Sequence, residues 1–267
     1  MENTEKLHNI RHTLAHLLAI AAKEFDPGVK LGIGPVTDDG FYYDFQFTKT
    51  PSPDDLKSME KTMRKLVNQK LPMSGREIDK AEGQKLFDGQ PFKLELLNEY
   101  ASEGKTLTAY TVGNFTDLCK GGHIENTGEI AADAFTLTRI AGAYWRGSEK
   151  NPMLTRIYGY AFTSKQELND YEHMLEEAKK RDHRKIGKEL GLFVFSELVG
   201  AGLPLWTPKG TIVRELLNDY VWELRRAKGY QKVTIPHITR KDLYETSGHW
   251  KKFAEELFKI ETREGHL

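Results

Sequence analysis

His12 and His16 stand four residues apart in a stretch whose apolar residues recur at helical spacing, so their imidazoles share one helix face. Further along, Asp117-Leu-Cys119-Lys-Gly-Gly-His123 sets a thiol and an imidazole four apart. Two glycines between them let the backbone turn tightly. Three imidazoles and one thiol form a donor set suited to zinc. Cys119 follows His16 by 103 positions, so only tertiary folding can join the two pairs. Each pair alone has an ordinary explanation: histidines on a helix surface or satisfied in a core, and a cysteine acting as a small buried hydrophobe. The first pair departs from the metalloprotease pattern, because Thr13 stands where that pattern carries its glutamate base.

The elements that must position these groups follow from periodicity and punctuation. Leu14, Leu17, Leu18, Ala21 and Ala22 predict a helix over residues 4–25, stopped by Asp26-Pro27-Gly28. Apolar runs at 31–35 and 41–47, separated by Asp39-Gly40, predict a β-hairpin. Ser52-Pro53-Asp54-Asp55 opens a helix over 52–69 with an acidic first turn. From 72 to 161 the segments are short and read mostly as strands, at 92–97, 106–112, 134–140 and 154–160. Helices first and last with strands between is α+β patterning.

Ser164 and Glu167 form a capping box that starts another helix, and its tail is basic: Lys179, Lys180, Arg181, Arg184, Lys185 and Lys188 against Asp182. That run is either a solvated helix face or a connector that contacts phosphates. Beyond it, Pro208-Lys-Gly210 leads into a long helix over 211–228 and a strand over 232–235 ending at Pro236. Boundaries fall near 162 and 188.

The chain has 267 residues, which corresponds to about two domains. Hydrophobic residues make up 39% and charged residues 29%, a globular composition rather than a disordered one. Lysine plus arginine and aspartate plus glutamate both total 39, so a wholly basic nucleic-acid binder is disfavoured and only local patches remain. No stretch approaches the ~18 apolar residues of a membrane span. The single cysteine excludes an internal disulfide framework and fits a reducing, cytoplasmic setting.

Six motifs occur in order: Arg11-His-Thr-Leu-Ala-His16, Gly32-Ile-Gly-Pro-Val36, Gly40-Phe-Tyr-Tyr-Asp44, Asp117-Leu-Cys-Lys-Gly-Gly-His123, Ala141-Gly-Ala-Tyr-Trp-Arg-Gly147 and Arg156-Ile-Tyr-Gly159. Together they resemble the editing domain of bacterial threonyl-tRNA synthetases. Ala178-Lys-Lys-Arg-Asp-His-Arg-Lys-Ile-Gly-Lys188 resembles that family's linker helix, and Gly248-His-Trp250 sits where the family has it. The resemblance implies a two-layer editing (second additional) domain with an antiparallel sheet over 1–162. A basic linker helix over 163–188 follows, and then the N-terminal part of a class II antiparallel α/β core over 189–267.

The implied activity is hydrolysis of seryl-tRNA(Thr). Serine lacks one methyl of threonine, and one methyl gives only ~1–3 kcal/mol of discrimination, so a second hydrolytic site is needed. Residues matching the family's pocket are His12, His16, Cys119 and His123, with Tyr43, Lys93, Tyr110 and Asp117 beside them. By resemblance, His12 activates water or binds the terminal ribose, and Lys93 stabilises charge or positions water. Asp117 orients its neighbours and the seryl amine, while His16, Tyr43, Tyr110, Cys119 and His123 shape the pocket. Lys179, Lys180, Arg181, Arg184 and Lys185 are the basic residues expected to contact tRNA phosphates. The threonyl branch resembles a metal-free site, whereas alanyl relatives use zinc, for which His12, His16, Cys119 and His123 are the candidate set.

Two features set limits. The small N-terminal domain usual in the family has no counterpart before His12, and of the class II signatures only the first, over 211–236, is present. ATP, magnesium and the core zinc therefore belong to sequence beyond residue 267, and the chain reads as an N-terminal fragment of a homodimeric enzyme. The expected partner is the aminoacylated 3′ end of tRNA(Thr). The competing readings are a non-catalytic tRNA-binding or dimerisation piece and a zinc-dependent alanyl-type tRNA editing hydrolase.

Overall fold

The computed structural model describes residues 2–262 and 265–266. It combines helices with antiparallel sheets in two compact units, residues 1–180 and 181–267.

The first unit begins with helix α1 (Glu2–Phe25) and the short strand β1 (Lys30–Leu31), followed by β2 (Gly40–Gln46) and helix α2 (Pro53–Asn68). Next come β3 (Met73–Glu77), α3 (Lys80–Leu86), α4 (Pro91–Ser102), β4 (Thr108–Val112) and β5 (Phe115–Leu118). It ends with β6 (Phe135–Tyr144), β7 (Met153–Ala161) and α5 (Lys165–Lys180). One sheet has the order β1-β2-β7-β6 and the other β3-β4-β5, with every pair antiparallel.

Alternation along β2 turns Phe41, Tyr43 and Phe45 to one face, where they are buried with Phe135, Leu137 and Ile157. Leu14, Leu17 and Leu18 of α1 and Met59 and Met63 of α2 close the same core from the helical layer. Each such side chain contributes roughly 1.5–3 kcal/mol by leaving water, which holds α1 against the sheet. Ser52 caps α2 by accepting from the Asp55 backbone N–H, and the Asp55 carboxylate accepts from the Ser52 backbone in return. Ile78, Phe87, Leu97, Leu107 and Ala109 form a second core under the three-stranded sheet.

The second unit contains α6 (His183–Glu189), the strand pair β8 (Phe193–Val194) and β9 (Leu205–Trp206), and the long helix α7 (Pro208–Ala227). Shorter helices α8 (Lys241–Thr246) and α9 (His249–Lys252) follow, then the pair β10 (Glu261–Thr262) and β11 (Gly265–His266). Most of its large apolar side chains are exposed, among them Leu216, Leu217 and Tyr220 of α7.

Three expectations are corrected. Residues 92–97 are helical, within α4. A short apolar run is ambiguous between strand and buried helix, and Pro91 at the first helical position decides for helix. The basic segment is not one helix to residue 188. α5 ends at Lys180, and Asp182 starts α6 by accepting from the Arg184 backbone N–H. Residues 232–235 are not a strand, and Val233 and Ile235 are 79% and 74% exposed. Their alternating pattern has no neighbouring strand among the described residues to complete its hydrogen bonds.

Candidate active site

The site lies where α1, β2, α4, the β4–β5 hairpin and the 119–123 loop meet. α1 presents His12 and His16 on one face, with ring centroids 5.4 Å apart. The 119–123 loop brings His123 to within 4.1 Å of His12 and 4.6 Å of His16, ring to ring. Gly121 and Gly122 make this possible with φ of +97° and +84°, a region that side chains rarely adopt. A Cβ on Gly121 would also lie 2.5 Å from the Tyr110 hydroxyl, so glycine leaves room for that ring, which packs 4.8 Å from His123.

The hydrogen bonds fix the histidine tautomers. His12 Nδ1 lies 3.2 Å from the Gly122 carbonyl, which can only accept, so Nδ1 carries the proton. The Thr13 hydroxyl donates to the Asn9 carbonyl at 2.9 Å, so its oxygen accepts from His123 Nδ1 at 3.4 Å. Both Nε2 lone pairs therefore face the Cys119 sulfur, at 3.3 Å from His12 and 3.1 Å from His123. One thiol proton can serve only one of them. His16 is buried, and its Nδ1 has no hydrogen-bond partner among the described residues.

Burial sets the protonation states. It lowers the pKa of His12 and holds that of His16 well below the usual value. His123 is pushed down to about 2 by burial and by its two histidine neighbours, and burial raises the Cys119 thiol to about 11. The cluster is thus uncharged at neutral pH.

Beside it lies a buried ion pair. Lys93 Nζ is 2.6 Å from Asp117 Oδ1, and the two residues are 3% and 2% exposed. Such a pair persists only when its remaining valences are filled. Asp117 Oδ1 also accepts from the Leu118 backbone N–H at 2.8 Å, and Oδ2 accepts from the Tyr43 hydroxyl at 2.7 Å. Burial first, and then Asp117, raises the Tyr43 pKa well above its usual value, so that hydroxyl stays a donor. Tyr110 pairs directly with Asp117 across β4 and β5. All eight pocket residues named from the sequence therefore converge, although Lys93 arrives on a helix and not on a strand.

Sequence reasoning reads Thr13 only as the residue in place of a glutamate and Gly122 only as part of a turn, and misses that they orient the two histidines. A threonine inside a helix, bonded back to the carbonyl four residues earlier, is the kind of signal that could mark the first.

The chemistry of the donor set fits zinc. His12, His16, Cys119 and His123 offer donor atoms that all lie within 4.8 Å of one another. Tetrahedral zinc with ordinary Zn–S and Zn–N lengths sets sulfur and nitrogen about 3.5 Å apart, close to the two distances here. Gly122 and Thr13 already fix the ring orientations that such a centre needs.

The basic candidates divide between the units. Lys179 and Lys180, exposed at the end of α5, pair with Glu176 at 2.9 Å and Glu177 at 2.6 Å. Arg184 pairs with Asp182 at 2.6 Å in the second unit, which also holds Arg181 and Lys185.

Residues 107–158 match the family described as the threonyl and alanyl tRNA synthetase second additional domain. That span includes Tyr110, Asp117, Cys119 and His123. Over 258 residues the chain is 47% identical to a threonine–tRNA ligase of Gloeobacter violaceus, covering 96% of this chain and 41% of the relative. One from Dehalococcoides mccartyi is 49% identical over 252 residues, covering 94% and 43%, and one from Streptococcus suis 44% over 258, covering 96% and 39%. The chain thus spans about two-fifths of the length of these relatives. No described helix is long and apolar enough to cross a membrane. The chain is similar along nearly its whole length to threonine–tRNA ligases, which are aminoacyl-tRNA ligases, and its residues 107–158 match the second additional domain of the threonyl and alanyl tRNA synthetases.

Proposed function

We propose that residues 1–162 hydrolyse the ester joining serine to the terminal ribose of tRNA(Thr). The observation that carries this reading is the buried Lys93–Asp117 pair set against a face of uncharged imidazoles. Ester hydrolysis needs a base for water and a positive group for the developing oxyanion. His12, neutral and held through Nδ1, offers Nε2 as the acceptor of the water proton. The water oxygen bonds to the acyl carbon and negative charge grows on the carbonyl oxygen, where the Lys93 ammonium stabilises it. The ester C–O bond then breaks, and the imidazolium returns its proton to the ribose oxygen. Asp117 and Tyr43 hold Lys93, while His16, Tyr110, Cys119 and His123 wall the acyl group. Threonine is spared because its additional methyl has to displace one of those walls.

If zinc binds, His12, His16, Cys119 and His123 are the residues that would hold it, and it would supply an activated water only if one of the four left its position open. Elemental analysis of protein purified without added zinc tests its presence. In the same reading, residues 163–188 are a connector that contacts tRNA and residues 189–267 are the start of a class II core. ATP, magnesium and the core zinc belong to the rest of an enzyme that charges tRNA(Thr) with threonine as a cytoplasmic homodimer.

The deciding experiment compares deacylation of tRNA(Thr) charged with serine or with threonine. The chain should release serine preferentially, and His12→Ala and Lys93→Met should each slow release by about 10²-fold. Variants as fast as the parent would defeat the assignment.

A further inference from the structure

Arg146 has φ +55° and ψ +24°, the left-handed region that a residue other than glycine enters only under strain. Such a conformation persists only where its surroundings over-determine it. The turn after β6 does this with one helix. The Arg146 guanidinium pairs with Glu95 at 2.8 Å and with Glu99, both on α4. The Trp145 indole N–H donates to Glu95 Oε2 at 3.0 Å, and its ring packs 4.9 Å from Phe92. Phe92, Trp145 and Leu154 are buried together as a small core of their own, with Leu96 against them. On its other side α4 packs Leu94 and Leu97 into the core of the three-stranded sheet. Lys93 lies next to Phe92, and its ammonium must cross to Asp117 on β5.

The grips on α4 from the 145–146 turn include ion pairs that are two-fifths to half exposed, and such pairs contribute little to stability. The stability of this turn comes from the buried Trp145, so the strained Arg146 with its exposed pairs has another use. Resting on the hydrolytic reading above, we infer that Trp145 and Arg146 form a positioning clamp for Lys93. The clamp fixes the pose of α4, so that the ammonium meets Asp117 and stays available to the reacting ester.

Arg146→Gly is the informative variant, because glycine adopts the same backbone without strain while both ion pairs disappear. The first readout needs no activity. Competitive acetylation of the full chain, followed by peptide mass spectrometry, measures the reactivity of Lys93 against exposed lysines. Loosening the clamp should raise that reactivity about fivefold while the thermal midpoint stays near the parent's. Unchanged reactivity overturns the inference. The second readout is seryl-tRNA deacylation. Arg146→Gly should lower kcat about tenfold with KM held within about twofold, since a misplaced group costs rate more than binding. In a Lys93→Met background the substitution should cost nothing further, and a fully additive loss overturns the inference. Arg146→Lys, which keeps one charge in the turn, should recover part of kcat. A parent chain that leaves seryl-tRNA intact defeats the hydrolytic reading alone, and the acetylation result then decides the clamp.

Discussion

Three histidines share a pocket in which none is easily charged, and this has a measurable consequence. In the unfolded chain each imidazole binds a proton near pH 6.5, whereas in the folded chain burial holds His12 and His16 lower and His123 at about 2. The unfolded state therefore binds more protons below pH 6.5, and stability falls as pH drops through that value. Each fully shifted histidine contributes a slope of about 1.4 kcal/mol per pH unit. Urea titrations between pH 7 and 5 should show a loss steeper than one proton, and His123→Asn should flatten it. A pH-independent midpoint would contradict the buried, neutral cluster. The same residues show how much of the site is legible in sequence. The spacing of His12 with His16 and of Cys119 with His123 identifies the donors. The tautomers depend on Gly122 and on a Thr13 hydroxyl already committed to Asn9, and those interactions exist only once the loop packs on α1.

Among the elements, α1, α2 and the β1–β2 hairpin are readable because their periodicity is long or their turn chemistry specific. α4 is not, since six apolar-rich residues suit a strand as well as a buried helix. Its helical form matters for the site, because a helix turns Phe92 and Leu97 into two different cores and leaves Lys93 between them. The basic connector is likewise two helices joined at Asp182. Its ion pairs with Glu176, Glu177 and Asp182 lie at the surface and hold the basic side chains only weakly. Replacing Lys179, Lys180 and Arg181 by glutamine should weaken tRNA binding. It should also lower the slope of log K against log salt by about 0.7–0.9 for each phosphate no longer neutralised. An unaltered slope would mean that these side chains are only a solvated face.

The whole molecule joins two units of different quality. Residues 1–180 bury one large core and two smaller ones, whereas α7 in residues 181–267 leaves Leu216, Leu217, Tyr220 and Leu224 at least half exposed. Binding of an anilinonaphthalene sulfonate dye should be strong for the chain and should fall severalfold for residues 1–180 alone, whose thermal transition should persist. Equal dye binding by the two would show that the apolar surface lies elsewhere.

Read along the chain alone, residue types and spacing point to the His and Cys donors and to a fold of helices and strands, and the motifs carry the resemblance to its relatives. These depend on residue type and local spacing, both of which are written along the chain. Folding brings His12 to Cys119 across more than a hundred residues, turns the two Nε2 lone pairs to one sulfur, and carries Lys93 to Asp117 from a helix that pairs with Arg146. Those facts depend on packing between distant elements and on desolvation, and neither has a local signature.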